Sequence, residues 1–172
     1  DDRGGRRRAA GARAVAVDTW GGSRRVCDEI VIVTMALILG GVLEATVREI
    51  ELGDMVDALG LPGWAVIACV IGVITIASLV GIHQVVSLIV VLVVFMPLDT
   101  GIADVVMMEA ALIGWAFASM VGVTAVSTAT ASAMFGVPRV QLIFGPNLLF
   151  VIVFGTISVG LLYFVNGLLL TT

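Results

Sequence analysis

The sequence predicts an all-α, polytopic membrane protein with a re-entrant hairpin and a discontinuous transmembrane helix. Three observations carry that expectation. Apolar residues make up 60% of the 172 residues and charged residues 13%, with a mean hydropathy of +1.17, whereas a soluble domain is about a quarter charged. The apolar residues fall in runs comparable to the roughly 20 helical residues that cross a bilayer. Short polar segments at 81–84 and 124–132 interrupt two of those runs. So few charges cannot cover a water-facing surface, but lipid-facing apolar surface needs no cover.

The net charge of −4 conceals an uneven distribution. All nine basic residues are arginine and seven precede residue 26, leaving Arg48 and Arg139 against ten carboxylates in the remainder. That remainder has no basic surface for nucleic acid, no phosphate-binding loop and no zinc-ligand spacing. Cys27 and Cys69 are isolated from each other, and Cys69 sits in an apolar run, where a small core residue is expected rather than a disulfide. Residues 1–25, DDRGGRRRAAGARAVAVDTWGGSRR, have no helical or strand period. No apolar stretch follows the arginines closely enough for a signal peptide. They are expected to be a disordered cytoplasmic tail or a stretch not native to the protein. Residues 26–172 form the expected transmembrane domain. A chain starting at Asp1 is expected to be a piece of a longer one.

The elements follow in order. Ile30 to Leu43 is a short first span, extended to the interface by Glu44 and Ala45. In 46–61, TVREIELGDMVDALGL, Ile50, Leu52, Met55, Val56 and Leu59 lie roughly on one side, and Glu49, Glu51, Asp54 and Asp57 mostly on the other. That pattern predicts a helix lying in the interface plane, ended by Pro62-Gly63. Gly63 to Val80 and Val85 to Met96 are apolar, with Gly81-Ile82-His83-Gln84 between them. The combined run is too long for one span and short for two, so a helix, a polar tip and a short returning helix are expected. Residues 97–104 form a polar loop, and Val105 to Val123 the next span. Residues 124–132 carry five hydroxyls in nine residues. Further breaks are expected at 135–139 and 145–147, before a final span from Leu148 to Leu170. Arginine placement sets orientation. With the tail cytoplasmic, 46–61 and 97–104 are external, Arg139 is a cytoplasmic anchor and only Arg48 violates the rule.

Interrupted membrane helices expose carbonyls to cations and helix N-termini to anions, which is how secondary transporters build sites. The same small and hydroxyl residues also let membrane helices pack closely, so both readings stand for the cluster. The candidate substrate- and ion-binding residues are Gly81, His83, Gln84 and Ser87 at the first interruption, and Thr124, Ser127, Thr128 and Thr130 at the second. Ser127, Thr128 and Thr130 are the candidate sodium ligands. His83 is the only histidine. An ionisable group at membrane depth points to function, and an imidazole suits proton coupling; the alternative is a neutral ring bonded to the helix break. Glu109, about one turn into its span, is expected to snorkel to the interface. No Ser/His, paired-Asp or His-Glu-x-x-His pattern marks an enzyme.

The order of elements resembles the C-terminal repeat of the ion transporter superfamily, in particular the divalent-anion/sodium symporters. The resemblance rests on Leu39-Gly40-Gly41-Val42-Leu43-Glu44 before the interfacial helix, on the hairpin, and on 111–136, ALIGWAFASMVGVTAVSTATASAMFG, as the discontinuous helix. It covers roughly 30–170 and is one of pattern. At the hairpin tip the family carries Ser-Asn-Thr where this chain has Gly81-Ile82-His83-Gln84, so the family's sodium and dicarboxylate chemistry lacks its motif here. The resemblance implies one half of an inverted-repeat elevator transporter, with the other repeat in a missing N-terminal half or a partner chain. The expected function is a secondary active transporter, or its C-terminal fragment, in the cell inner membrane. It would move a small solute such as an organic anion, coupled to protons or sodium, with no other cofactor. The expected partners are the lipid bilayer, the solute and further copies of the chain in a homo-oligomer, with no nucleic acid. The alternative is a non-transporting membrane scaffold or assembly subunit.

Overall fold

The computed structural model describes Cys27 and residues 30–43, 45–46 and 60–171. The Arg-rich tail and most of the expected interfacial helix at 46–61, Arg48 included, lie outside the described residues. The chain divides into residues 1–35 and 36–172. The first unit contributes only Cys27 and the opening turns of helix α1, Ile30–Leu43.

The described residues form helices and the turns between them, with no strand. After α1 come α2 (Gly63–Val80), α3 (Gln84–Phe95), α4 (Asp104–Val121), α5 (Val126–Phe135), α6 (Arg139–Leu142), a wide turn at Ile143–Asn147, and α7 (Leu148–Leu170). Three helical stretches are long and apolar enough to cross a membrane: Gly63–Val80, Asp104–Phe135 and Arg139–Leu170. At 1.5 Å per residue, α2 and α4 are each about 27 Å long, close to the hydrocarbon thickness of a bilayer.

Side-chain size sets the packing. Gly114 brings α4 onto the backbone of α2, where a methyl group would lie 3.2 Å from the Ile71 Cα. Near the other end of this contact, Ser78 of α2 bonds to Ala118. Residues 71 and 78 therefore pair with 114 and 118 in the same direction, so α2 and α4 are parallel. Helix α3 returns from the tip of α2, and in the second unit Gly40 of α1 packs on its Ile89 and Val93. Helix α7 is antiparallel to both. It starts at Asn147 beside Met120, passes Phe117 at Gly155, and ends with Asn166 on Gly101 and Ala103. The core lies along the α2–α4 seam, with Ile67, Val70, Ile74, Val106, Ala110, Ala118 and Val121 fully or nearly fully buried.

The bundle thus has two ends. One gathers Gly63, the 97–103 loop and the end of α7; the other gathers the α2–α3 tip, the end of α4 and the start of α7. Asn166 holds the first end. Its Oδ1 accepts from the Ala103 N–H at 2.8 Å, and its Nδ2 donates to the Gly101 carbonyl at 3.0 Å. Those bonds satisfy a backbone donor at the start of α4, which has no side-chain cap of its own. Outward, α7 is apolar: Leu149, Ile152, Ile157, Leu161, Phe164 and Leu168 are all exposed.

Candidate functional site

The first interruption is a helix stop followed directly by a helix start. Gly81 ends α2 at φ 101°, a left-handed conformation that costs glycine nothing. Its N–H donates to the Ser78 carbonyl at 3.1 Å, and the Ile82 N–H reaches back to the Ala77 carbonyl at 2.9 Å. This is the Schellman arrangement of helix C-termini. His83 then caps α3, its Nδ1 accepting from the Val85 N–H at 3.3 Å. Gln84 is half-buried and begins α3. Ser87, one turn on, is buried, and its Oγ meets no hydrogen-bond partner among the described residues.

The second interruption is a rearrangement of hydrogen bonds. Gly122 and Ala125 are extended, at φ −68°, ψ 130° and φ −64°, ψ 131°. The Gly122 N–H still donates to the Ala118 carbonyl at 2.7 Å. In a continuous helix the Val123 N–H would bond to the Ser119 carbonyl four residues back. It leaves the helix instead and donates to the Ser78 carbonyl of α2 at 3.2 Å. The orphaned Ser119 carbonyl accepts from Ser127 Oγ. The Met120 carbonyl accepts from Asn147 Nδ2 at 3.3 Å. The Gly122 carbonyl accepts from Thr128 Oγ1 at 2.9 Å, and the same hydroxyl lies 2.8 Å from the Ala125 carbonyl. Side-chain donors thus serve the Ser119 and Met120 carbonyls in place of backbone donors, and at the Gly122 carbonyl the Thr128 hydroxyl joins the Ala125 N–H, which donates there at 3.2 Å.

Ser78 joins the two interruptions. It is 1% exposed, its carbonyl receives the N–H groups of Gly81 and Val123, and its Oγ donates to the Ala118 carbonyl at 3.2 Å. Gly122 lies hard against it: a methyl group there would meet Ser78 Oγ and sit 2.5 Å from the Ala118 carbonyl oxygen.

Beside the second break is a cavity of about 220 Å³ lined by Ser119, Met120, Ser127, Thr128, Ala131, Leu142 and Asn147. Of the residues singled out from sequence, Ser127 and Thr128 line it. Thr124 and Thr130 are exposed outside it. Gly81, His83, Gln84 and Ser87 belong to the neighbouring tip, which reaches the break through Ser78. Sequence reasoning missed Ser78, Ser119 and Asn147. Asn147 was visible as the polar residue after a Gly-Pro break; Ser78 and Ser119, lone serines in apolar helices, gave no signal. A larger cavity of about 440 Å³ between α2 and α7 is apolar. Its two threonines, Thr75 and Thr156, donate to carbonyls of their own helices. No cluster of three or more histidine, cysteine or carboxylate side chains that could hold a metal occurs among the described residues.

No family model, no characterised protein and no solved structure matches this chain.

Proposed function

We propose that the chain is one half, or the C-terminal part, of a multi-pass secondary active transporter of the inner membrane. In this reading the α2–α3 hairpin is re-entrant, α4–α5 is the discontinuous helix, and the cavity beside the break is the transport site. The observation that carries the reading is the junction at Ser78, where two helix interruptions meet beside a hydroxyl-lined cavity. Irregular backbone at membrane depth is tolerated where protein buries it or where it lines a cavity, and transporters place substrate and ion sites at such breaks. The cargo is a small solute such as an organic anion, driven by protons or sodium. A second, inverted repeat, from a missing N-terminal half or a partner chain, completes the site, and further copies form a homo-oligomer.

Accessibility tests this. In a variant with Cys27 and Cys69 replaced by alanine, Ser127→Cys should react with a membrane-impermeant thiol reagent in both right-side-out and inverted vesicles. Reaction from one side only would contradict alternating access. A scaffold is the second reading, favoured by one observation: every hydroxyl lining the cavity already donates to a backbone carbonyl. A scaffold predicts that the thiol of the Ser127→Cys variant is unreactive from at least one side.

A further inference from the structure

The larger cavity, about 440 Å³ between α2 and α7, is held open by the helices that frame it. Gly114 seats α4 on the Ile71 backbone of α2, and Ser78 of α2 bonds to Ala118 of α4. Helix α7 is tied by Asn147 to Met120 at one end and by Asn166 to Gly101 and Ala103 at the other. Phe117 of α4 lines the cavity between them, buried, with Gly155 of α7 against its ring. Closing the cleft would break these attachments. Its lining decides what can fill it. No charged side chain lines it, and Thr75 and Thr156 spend their single protons on the carbonyls of Ile71 and Ile152. One side-chain donor remains, the indole N–H of Trp64, at the end of the cavity where α2 begins. A buried water needs two to four polar partners, and a dry apolar cavity takes an apolar guest, because an empty one forfeits the dispersion contacts of its walls.

The cavity is long and thin. Its lining runs from Trp64 to Leu79 on α2 and from Leu148 to Val159 on α7, about 22 and 16 Å at 1.5 Å per residue. Spread over that length, 440 Å³ leaves a cross-section of roughly 20–27 Å², about a third or less of the roughly 80 Å² of a helix about 10 Å across. A helix of a second copy does not fit. A single file of methylene groups does, with wall atoms at the carbon–carbon contact distance of about 4 Å. Both framing helices are long and apolar enough to cross a membrane. Ile76 and Ile152, on opposite walls, are exposed, so the cavity opens sideways from the bundle. We infer that this cleft binds one acyl chain of a membrane phospholipid, with the polar end of the lipid beside Trp64. Tryptophan at a helix end suits the headgroup level of a bilayer, and its N–H donates to an ester or phosphate oxygen. Gly72 makes the room, since a methyl group added there would meet no atom within 4 Å. The site is independent of the transporter reading, because it uses neither interruption.

The test uses the full chain in detergent, loaded with phosphatidylcholine and measured by native mass spectrometry. Gly72→Leu fills the cleft. Gly160→Leu adds the same side chain to the outward face of α7, where a methyl group also meets nothing. Wild type and Gly160→Leu should each retain one phospholipid. Gly72→Leu should retain about tenfold less, since displacing two methylene groups already weakens binding by about that much. Equal retention by the two variants overturns the inference, because the lipid then only coats the surface. So does the absence of retained lipid in the wild type. A dimer that Gly72→Leu alone dissociates also overturns it, since protein then occupies the cleft. Lysophosphatidylcholines of increasing chain length, added at fixed detergent, decide the matter even where Gly72→Leu does not fold. The wild-type melting temperature should climb with each added methylene until the chain spans the cleft, and then level off. A melting temperature that does not depend on chain length overturns the inference.

Discussion

At the scale of single residues, Gly122 and His83 make opposite demands. Gly122 is needed for space: its φ of −68° suits any residue, but a methyl group would meet Ser78 Oγ and the Ala118 carbonyl. Gly122→Ala should destabilise the protein by about 1–3 kcal/mol, the usual cost of overpacking, measured as a lower melting temperature in detergent. Ser78→Ala in the same chain should restore part of the loss, because one of the two colliding groups is removed. His83 is needed for an acceptor. His83→Ala should cost on the order of 1 kcal/mol, as loss of a helix cap does, whereas His83→Asn keeps a capping oxygen and should melt close to wild type. If the alanine and asparagine variants melt alike, the cap contributes nothing.

At the scale of elements, hydroxyls in the same short helix differ sharply in what they hold. Thr128 is 3% exposed and bonds to two carbonyls of the break; Thr130 is exposed on the same helix. Thr128→Val removes a hydroxyl from two carbonyls that keep backbone donors, the Ala125 N–H on Gly122 and the Ala129 N–H on Ala125, so a loss of about 0.5–1.5 kcal/mol is expected, the net worth of a hydrogen bond. Thr130→Val should fall within about 0.5 kcal/mol of wild type. Thermal unfolding of the two variants side by side checks this, and equal losses would mean that the bonds of Thr128 do not hold the break. Asn166 has the same role at the other end of the bundle. Asn166→Leu removes the partner of the Ala103 N–H and of the Gly101 carbonyl; Gly101 is exposed and its carbonyl can turn to water, so a loss of about 1–3 kcal/mol is expected, from the Ala103 N–H. Proteolysis in the 97–103 loop should accelerate in the same variant.

At the scale of the whole molecule, α2 and α4 form a parallel pair whose shared seam is buried, and α7 faces outward. Parallel helices in a bundle need a return between them, and α3 with the 97–103 loop supplies it. The exposed apolar face of α7 fits lipid or a further protein surface and is incompatible with water. Ile157 lies on that face near the middle of α7. Ile157→Lys should therefore cost about 2.5–3.5 kcal/mol in membrane insertion, read as loss of the inserted fraction in a translocation reporter assay. Leu170→Lys, at the end of α7, should insert nearly normally because the charge can reach the interface. Equal insertion of the two variants would argue that α7 does not span.

The helical class and the three stretches long enough to cross a membrane were legible in the sequence, because hydrophobic length and glycine or proline stops are local properties. Gly63–Val80 and Leu148–Leu170 could be bounded to the residue from Pro62, Gly81 and the 145–147 break. The hydroxyl cluster announced a break, but its position came out wrong by several residues. The unwound backbone is 122–125, and Ser127, Thr128 and Thr130 stand on the helix that follows. Propensity cannot place such a break, because what pulls the Val123 N–H off its own helix is the Ser78 carbonyl, 45 residues earlier in the chain. For the same reason composition could name hydroxyls as candidate ligands but could not say which way they point their protons. That was decided by tertiary structure, through the carbonyls that the break leaves open. Asn147 and Ser78 entered the site only when α7 and α2 packed against the end of α4, since a lone polar residue in an apolar helix acquires its meaning from what it meets across the seam.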